Sequence, residues 1–140
     1  MKERIVLDTN CLVISFSRRS PYFKIWEDFF NGRFVLCVTN EIIEEYEEIL
    51  SQKLGHGIAE NIIKAILQSS NTLKCNVFFR FGLIESDPDD NKFVDCAIVS
   101  NARYIVTEDR HFNVLKNIEF PHVDIINIDD FIRLTDTERS

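Results

Sequence analysis

The chain has 140 residues, of which 45% are hydrophobic and 28% are charged. This length suits one domain with one hydrophobic core, since domains average about 150 residues, and the composition excludes an intrinsically disordered protein. The net charge is −7, from 16 basic and 23 acidic residues. Such a chain does not coat nucleic acid through a basic surface, but an acidic site that recruits divalent metal stays compatible with a nucleic-acid enzyme.

The cysteines and the apolar segments predict a soluble, cytoplasmic protein. Cys11, Cys37, Cys75 and Cys96 form no CxxC pair and lie in apolar stretches, so we expect reduced thiols. The first residues reach a carboxylate after three apolar positions, which leaves no signal-peptide core. No apolar run approaches the roughly 18 residues of a membrane span, so no membrane contact is expected.

Short apolar runs alternate with segments of helical period, which is the order of βαβ units around a parallel sheet. Strands are predicted at 4–7, 33–38, 73–81, 104–106 and 123–128. Four helices are predicted with bounds, at 22–31, from Ile58 to Leu67, at 108–116 and at 129–134. Two more are predicted to begin after an N-cap at Thr39 and after a turn at 86–90. The sequence therefore predicts an α/β fold: a three-layer α/β/α sandwich with a central, mainly parallel five-stranded sheet, and residues 1–140 as a single domain.

Two groups of residues are predicted to serve the fold. The aromatic stripe Trp26, Phe29 and Phe30 is expected in the core, with part of it as a candidate oligomer interface. The Gly55-His56-Gly57 segment is expected to break the chain, which makes His56, like His122, a loop residue.

Several acids follow the predicted strands. Asp8 comes directly after the first strand, Asp90 lies in the turn after the third, and Asp109 comes three residues after the end of the fourth. Ligands of open parallel sheets bind outside the carboxyl ends of the strands, where these acids would meet. Glu45 differs, because helical spacing from Thr39 places it near the buried side of a helix.

Each acid also has an ordinary structural interpretation. Asp8 would cap the next helix, and Asp89 and Asp90 would lie in a first helical turn, where the helix dipole favours acids. Glu45 belongs to a glutamate run of the kind that forms a solvated face, and Asp109 would be a loop acid. Gathered together, however, carboxylates about 4 Å apart repel one another and therefore either protonate or bind cations.

The ligand chemistry of such a cluster points to Mg²⁺ or Mn²⁺. Oxygen ligands favour these ions over zinc. One ion lowers the pKa of a water and a second stabilises the leaving oxygen, which suits hydrolysis of a phosphodiester bond. The acids therefore favour a metal-dependent nuclease.

Four segments in order resemble the motifs of PIN-domain ribonucleases, in particular their toxin-like branch. The segments are Ile5-Val6-Leu7-Asp8-Thr9-Asn10, then Val38-Thr39 with 43–50, then Asp87-Pro88-Asp89-Asp90-Asn91-Lys92-Phe93, and Tyr104-Ile105-Val106-Thr107-Glu108-Asp109. The resemblance spans residues 5 to about 131. One such motif is weak evidence, whereas four in this order and spacing are specific.

The resemblance implies the residues of the site. The catalytic and metal-binding acids would be Asp8, Glu45, Asp90 and Asp109, with Asn10 and Thr107 as polar supports. The third acid is ambiguous: Asp90 is preferred by its spacing to Asp109, Asp95 is second and a further candidate metal ligand, and Asp87 is third.

The resemblance also implies an activity and partners. The activity is Mg²⁺- or Mn²⁺-dependent endonucleolytic cleavage of RNA, and the partners are the RNA substrate, a cognate antitoxin protein and a second copy in a homodimer. The residues that bind the substrate are undetermined. Basic residues near the acids are either phosphate contacts or ordinary surface charge: Arg18, Arg19, Lys92, Arg103, Arg110 and His111.

Other protein classes fit less well. A receiver-like phosphoacceptor requires an acidic pair after the first strand and a lysine after the last, and a haloacid dehalogenase-type phosphatase requires Asp-x-Asp-x-Thr. Residues 8–12 satisfy neither first-strand pattern. The alternative that stays open is a catalytically silent PIN-fold module that binds RNA or protein.

Overall fold

A five-stranded parallel sheet forms the centre of the computed structural model, which describes residues 2–17 and 19–139, with the side chains of 2–17 and 19–136. The strand order is β3-β2-β1-β4-β5 and every neighbouring pair is parallel. The strands are β1 (Glu3–Leu7), β2 (Phe34–Val38), β3 (Thr72–Lys74), β4 (Tyr104–Val106) and β5 (Ile125–Ile126). The predicted α/β sandwich is confirmed, and its described strands are wholly parallel.

Helices connect the strands and cover the sheet. They are α1 (Thr9–Ile14), α2 (Phe23–Phe30), α3 (Asn40–Leu54), α4 (His56–Gln68), α5 (Asn91–Ser100) and α6 (Ile128–Arg139). Two 3₁₀ segments, Pro88–Asp90 and Arg110–Asn117, precede α5 and β5. Among the described residues, no helix is long and apolar enough to cross a membrane.

Strand β1 organises the core because it lies in the middle of the sheet and its last residues are buried. Ile5, Val6 and Leu7 are fully enclosed, as expected for an apolar strand of a parallel sheet. The hydroxyl of Tyr46, which is buried on α3, donates a 2.6 Å hydrogen bond to the carbonyl of Leu7. This bond ties α3 to the end of β1.

The strand order places a switch point beside β1. The chain builds β2 and β3 on one side of β1 and then returns through α5 to β4 on the other side. Leu7 is in register with Val106, and the amide of Asp8 donates to the carbonyl of Val106 at 3.0 Å. Crevices at such reversals are the usual ligand sites of open α/β sheets.

The strand predicted at 73–81 is wrong in length. The last strand-like contact is the 2.8 Å hydrogen bond from the amide of Cys75 to the carbonyl of Val38. Beyond it β2 has turned into α3, so residues 75–83 have no strand to pair with and run without regular structure. Phe78 on this segment is 91% exposed.

Other predicted boundaries also need correction. The fifth strand, predicted at 123–128, pairs over only two residues because its partner β4 is itself short. The last helix is longer than the predicted 129–134. The chain break lies at Gly55 alone, whose φ of +92° suits glycine, and His56 begins α4 instead of lying in a loop. His122 lies in a loop, as predicted.

The aromatic stripe is core on one side. Phe29 is buried, and Trp26 packs edge-on against Phe16 and Phe30 with ring centroids 4.2 Å and 4.0 Å apart. Phe30 is 42% exposed. The core prediction is confirmed for Phe29, and the oligomer interface stays a prediction.

The predicted N-cap of α3 provides a test of the fold. The hydroxyl of Thr39 accepts a hydrogen bond from the amide of Ile42 at 3.2 Å. Thr39→Ala leaves this amide without its partner, so we expect the free energy of unfolding to fall by about 1 kcal/mol in urea denaturation. Thr39→Ser keeps the hydroxyl and serves as the control. An alanine variant as stable as the serine variant would contradict the capping role.

Candidate metal centre

The ends of β1 and β4 place Asp8 and Thr107 side by side. The hydroxyl of Thr107 donates to Oδ2 of Asp8 at 2.8 Å and accepts from the amide of Asp109 at 3.0 Å. Thr107 is buried, so this one hydroxyl links the residue after β1 to the loop after β4. Such a bond holds a carboxylate in one orientation.

Asp8 does not act as an ordinary helix cap. It directly precedes α1, but its side chain makes no capping hydrogen bond, and only 7% of the residue is exposed. Burial raises the pKa of its carboxyl group above the usual range. The hydrogen bond from Thr107 lowers this pKa, and the nearby charges of Asp109 and Glu45 raise it further.

A second group of ligand atoms lies beside this pair. Asp87, Asp90, Asp109 and His111 each present one ligand atom, and these four atoms all lie within 4.8 Å of one another. Nδ1 of His111 is 3.2 Å from Asp109 Oδ1, 3.5 Å from Asp87 Oδ2 and 3.6 Å from Asp90 Oδ2. We call these four residues the acidic cluster.

Asp90 is the member of the acidic cluster whose ionised form is least stable, and we call this electrostatic destabilisation strain. Its Oδ2 atom is enclosed and has no hydrogen-bond partner among the described residues. Burial, followed by the charges of Asp109, Asp87 and Asp8, raises the pKa of Asp90 to about 7. A buried carboxylate oxygen without a donor is costly, and a divalent cation would supply the missing partner.

The donor set therefore fits a divalent ion. Three carboxylates from two loops converge with one imidazole nitrogen. Carboxylates suit both Mg²⁺ and Mn²⁺, whereas the added imidazole suits Mn²⁺, a transition-metal ion, better than Mg²⁺. Proton release from Asp90 would accompany binding, because the ion needs the ionised carboxylate.

Glu45 reaches the edge of this region from α3. Its Oε2 accepts a hydrogen bond from the hydroxyl of Thr9, and its Oε1 lies 2.9 Å from Nζ of Lys92. The side chain is partly buried and its charge raises the pKa of Asp8. Glu45 is therefore not part of a freely solvated glutamate face, but it lies outside the acidic cluster.

Asp95 lies outside the acidic cluster. It is 3% exposed, and its Oδ1 accepts a 3.1 Å hydrogen bond from the amide of Phe81. Burial raises the pKa of Asp95 above its usual range. The Phe81 hydrogen bond and the charge of Arg80 oppose this rise, and the charge of Glu41 adds to it. The structure thus uses Asp95 to hold the irregular segment 75–83 against α5.

Some contacts of the site were not apparent in the sequence. Asn10 is exposed in the first turn of α1, and it is Thr9 that contacts Glu45. His111 enters the acidic cluster because Asp109 caps the 3₁₀ segment, accepting from the amide of His111 at 2.9 Å. That two-residue spacing is typical of an Asx turn and was the available signal. Arg18, for which the sequence leaves a phosphate contact and ordinary surface charge open, lies outside the described residues.

The sequence of residues 4–111 matches the model of the PIN domain. The chain belongs to the PIN-domain family. Its fold is similar to that in the crystal structure of VapBC2 from Rickettsia felis bound to a DNA fragment from their promoter, with a TM-score of 0.61 and 16% sequence identity. The alignment covers 89% of this chain and 98% of that one. No curated protein matches the sequence significantly.

The strain at Asp90 predicts how stability depends on pH. The folded chain binds the Asp90 proton more tightly than the unfolded chain, so stability is lost as pH rises from about 4 to about 7. Without metal, Asp90→Asn removes this loss, and we expect a higher Tm than wild type at pH 8, by on the order of 3 °C for each kcal/mol gained. The difference should shrink at pH 4, where both side chains are neutral.

Thermal melts with and without Mn²⁺ check this. Mn²⁺ should raise the Tm of wild type and leave that of Asp90→Asn nearly unchanged. Asp89→Asn removes the same charge one position away, from an exposed residue, and is the control. If the two variants behave alike at pH 8, the strain is not at Asp90.

Proposed function

We propose that the chain is a Mg²⁺- or Mn²⁺-dependent endoribonuclease that hydrolyses RNA phosphodiester bonds. The main support is the enclosed, unpartnered Oδ2 of Asp90 within the acidic cluster, at the switch point of a PIN-family sheet. We further propose that residues 1–140 act as one domain.

Asp8, Glu45, Asp90 and Asp109 are the proposed catalytic residues. Asp90 and Asp109 would hold the ion, with Asp87 and His111 as further ligands and Asp8 behind them, oriented by Thr107. The bound ion would supply the charge that lowers the pKa of a water and stabilises the leaving oxygen.

Glu45 has a separate role in this mechanism. Thr9 and Lys92 hold its two carboxylate oxygens, so the side chain is oriented independently of the acidic cluster. We assign it the positioning of the attacking water opposite the leaving oxygen. Asp95 and Asn10 have no direct part.

The resemblance to the toxin-like branch supports a toxin of a toxin–antitoxin pair, with a cognate antitoxin protein as partner and a homodimer as its assembly. The likeness of the fold to a VapBC2 complex agrees with this. The proposed location is the cytoplasm, since the four cysteines are free thiols, as in a reducing compartment.

One observation favours a second candidate function. Nζ of Lys92 already neutralises Glu45, which is an acid that the nuclease mechanism uses. A catalytically silent PIN-fold module that binds RNA or protein would have this pairing as a permanent feature. Cleavage assays separate the two candidates.

The nuclease proposal predicts ion-dependent cleavage of RNA. Wild type should cut a mixture of structured and unstructured RNA with Mn²⁺ or Mg²⁺ and should not cut it in EDTA. Because loss of groups that only support a metal ligand already costs about 10–100-fold, Asp8→Asn and Asp90→Asn should each lower the rate by at least about 100-fold. Asp89→Asn is the matched control and should cut at the wild-type rate, and circular dichroism should show that all variants fold.

A folded wild type that cuts no RNA with either ion would favour the silent module. Full activity in Asp8→Asn, with the ion still required, would overturn the assignment of Asp8.

Asp95→Asn distinguishes the two candidates for the third acid. Asparagine keeps an oxygen for the amide of Phe81, so the segment 75–83 should stay in place. We expect cleavage within about threefold of wild type and an unchanged Mn²⁺ requirement, because the change leaves the acidic cluster and its contacts with the transition state in place. A loss as large as that of Asp90→Asn would instead make Asp95 a metal ligand.

A further inference from the structure

Lys92 is a fixed cation on the Glu45 side of the metal centre. Its Nζ atom lies 2.9 Å from Oε1 of Glu45 and donates a 2.9 Å hydrogen bond to the carbonyl of Asp89. The ammonium group also lies 5.7 Å from the centre of the Phe93 ring. Only 13% of the side chain is exposed, whereas lysine side chains are mostly solvated. Three contacts therefore hold this charge in one place.

The contacts of Lys92 fit neither interpretation that the sequence leaves open for it, a phosphate contact or ordinary surface charge. The ammonium group already has a carboxylate partner within the site, so in this arrangement it is not available to a phosphate. Its low exposure separates it from a surface charge. Lys92 is therefore a part of the site that serves Glu45.

Both carboxylate oxygens of Glu45 are occupied. Oε2 accepts a hydrogen bond from the hydroxyl of Thr9, and Oε1 pairs with Lys92. Oδ2 of Asp90, by contrast, is enclosed and has no hydrogen-bond partner among the described residues. Two of the proposed catalytic acids thus differ: Asp90 lacks a positive partner, whereas Glu45 already has one.

The positions of the potential ligand atoms agree with this difference. Within the part of the chain that the structure describes, only the acidic cluster brings three or more potential ligand residues together within 4.8 Å, and Glu45 is not among them. Lys92 follows Asp90 by two residues, so the turn that carries a proposed metal ligand also carries the ammonium group. The site therefore offers one place for a divalent ion and a lysine charge beside Glu45.

A second positive charge has a known use in the hydrolysis of phosphodiester bonds. Enzymes with paired ions hold a second divalent ion about 3.5–4 Å from the first. A lysine ammonium is a compact point charge with three N–H donors, so it can satisfy a carboxylate that would otherwise bind such an ion. Because it is covalently attached, a chelator does not remove it.

We infer that Lys92 takes the place of a second metal ion: it is a positioning residue that holds Glu45, and the centre binds a single divalent ion. The number of bound ions is a property of binding alone. The effect of Lys92 on cleavage rests on the proposed ribonuclease function.

The number of bound Mn²⁺ ions tests this role of Lys92. The full chain is titrated with Mn²⁺, and the free ion is followed by electron paramagnetic resonance. We expect wild type to bind a single Mn²⁺ per chain. Lys92→Met keeps an unbranched side chain without the charge, and we expect this variant to bind a second, weaker ion at the unpaired Glu45.

Three further variants make the ion count specific. Lys92→Arg keeps the charge and should bind a single ion. Lys92→Met/Glu45→Gln lacks the carboxylate and should again bind a single ion. Arg80→Ala is the matched control, because it removes the partner of Glu41, another glutamate of α3, and should leave the count unchanged. Circular dichroism should show that all variants fold.

Cleavage assays measure the positioning role. Lys92→Met should lower kcat by about 10–100-fold with the KM for RNA nearly unchanged, because groups that orient a residue of a metal site are worth this much. Mn²⁺ above the concentration that saturates wild type should restore part of the lost rate, because a second ion then takes the place of the ammonium group.

Four results would overturn the role of Lys92. These are two ions in wild type, an unchanged count in Lys92→Met, a second ion in Arg80→Ala, or a lost rate that excess Mn²⁺ does not restore. The two proposals fail separately. A wild type that cuts RNA with two bound ions refutes only the role of Lys92. A wild type that binds a single ion, gains a second in Lys92→Met and cuts no RNA refutes only the nuclease.

Discussion

The parallel pairing of β1 with β4 is the constraint on which the rest of the structure depends. It brings the residues after two strands that are nearly a hundred positions apart in sequence into contact, through the Thr107–Asp8 hydrogen bond. Burial of β1 between its neighbours makes this pairing obligatory, since an apolar central strand has no stable position at an edge. The packing of β1 in the core therefore fixes the positions of Asp8 and Thr107 in the site.

Electrostatic repulsion is the consequence of that geometry. Asp8 and Asp90 both have raised pKa values, in each case with burial as the largest cause and neighbouring carboxylates as the next. A fold would ordinarily avoid such a cluster, because each ionised group is both desolvated and repelled. Strain of this kind is typical of functional sites, where a ligand compensates for it. In this chain the compensating ligand would be a divalent cation.

The distribution of basic residues complements the acidic cluster. Lys92 and Arg80 are committed to glutamates of α3, on the side of the site nearest β2. Arg110 and Lys116, which form no ion pair with a described residue, lie on the other side, near β5. A substrate strand would thus meet fixed ion pairs on one side and available cations on the other. This asymmetry is a property of the tertiary arrangement, because the sequence does not distinguish Lys92 from Arg110: both are basic residues beside acids.

The sequence alone determined the order of the elements and the acids at the ends of the strands. The apolar runs, the Thr39 cap and the motif spacing were sufficient for the α/β sandwich and for the family, since these signals are local. The tertiary structure decided that β3 ends at Lys74, because strand length depends on the partner strand. It also turned Asp95 towards Phe81 and brought His111 into the acidic cluster. A side chain's partners depend on elements distant in sequence, and periodicity carries no information about them.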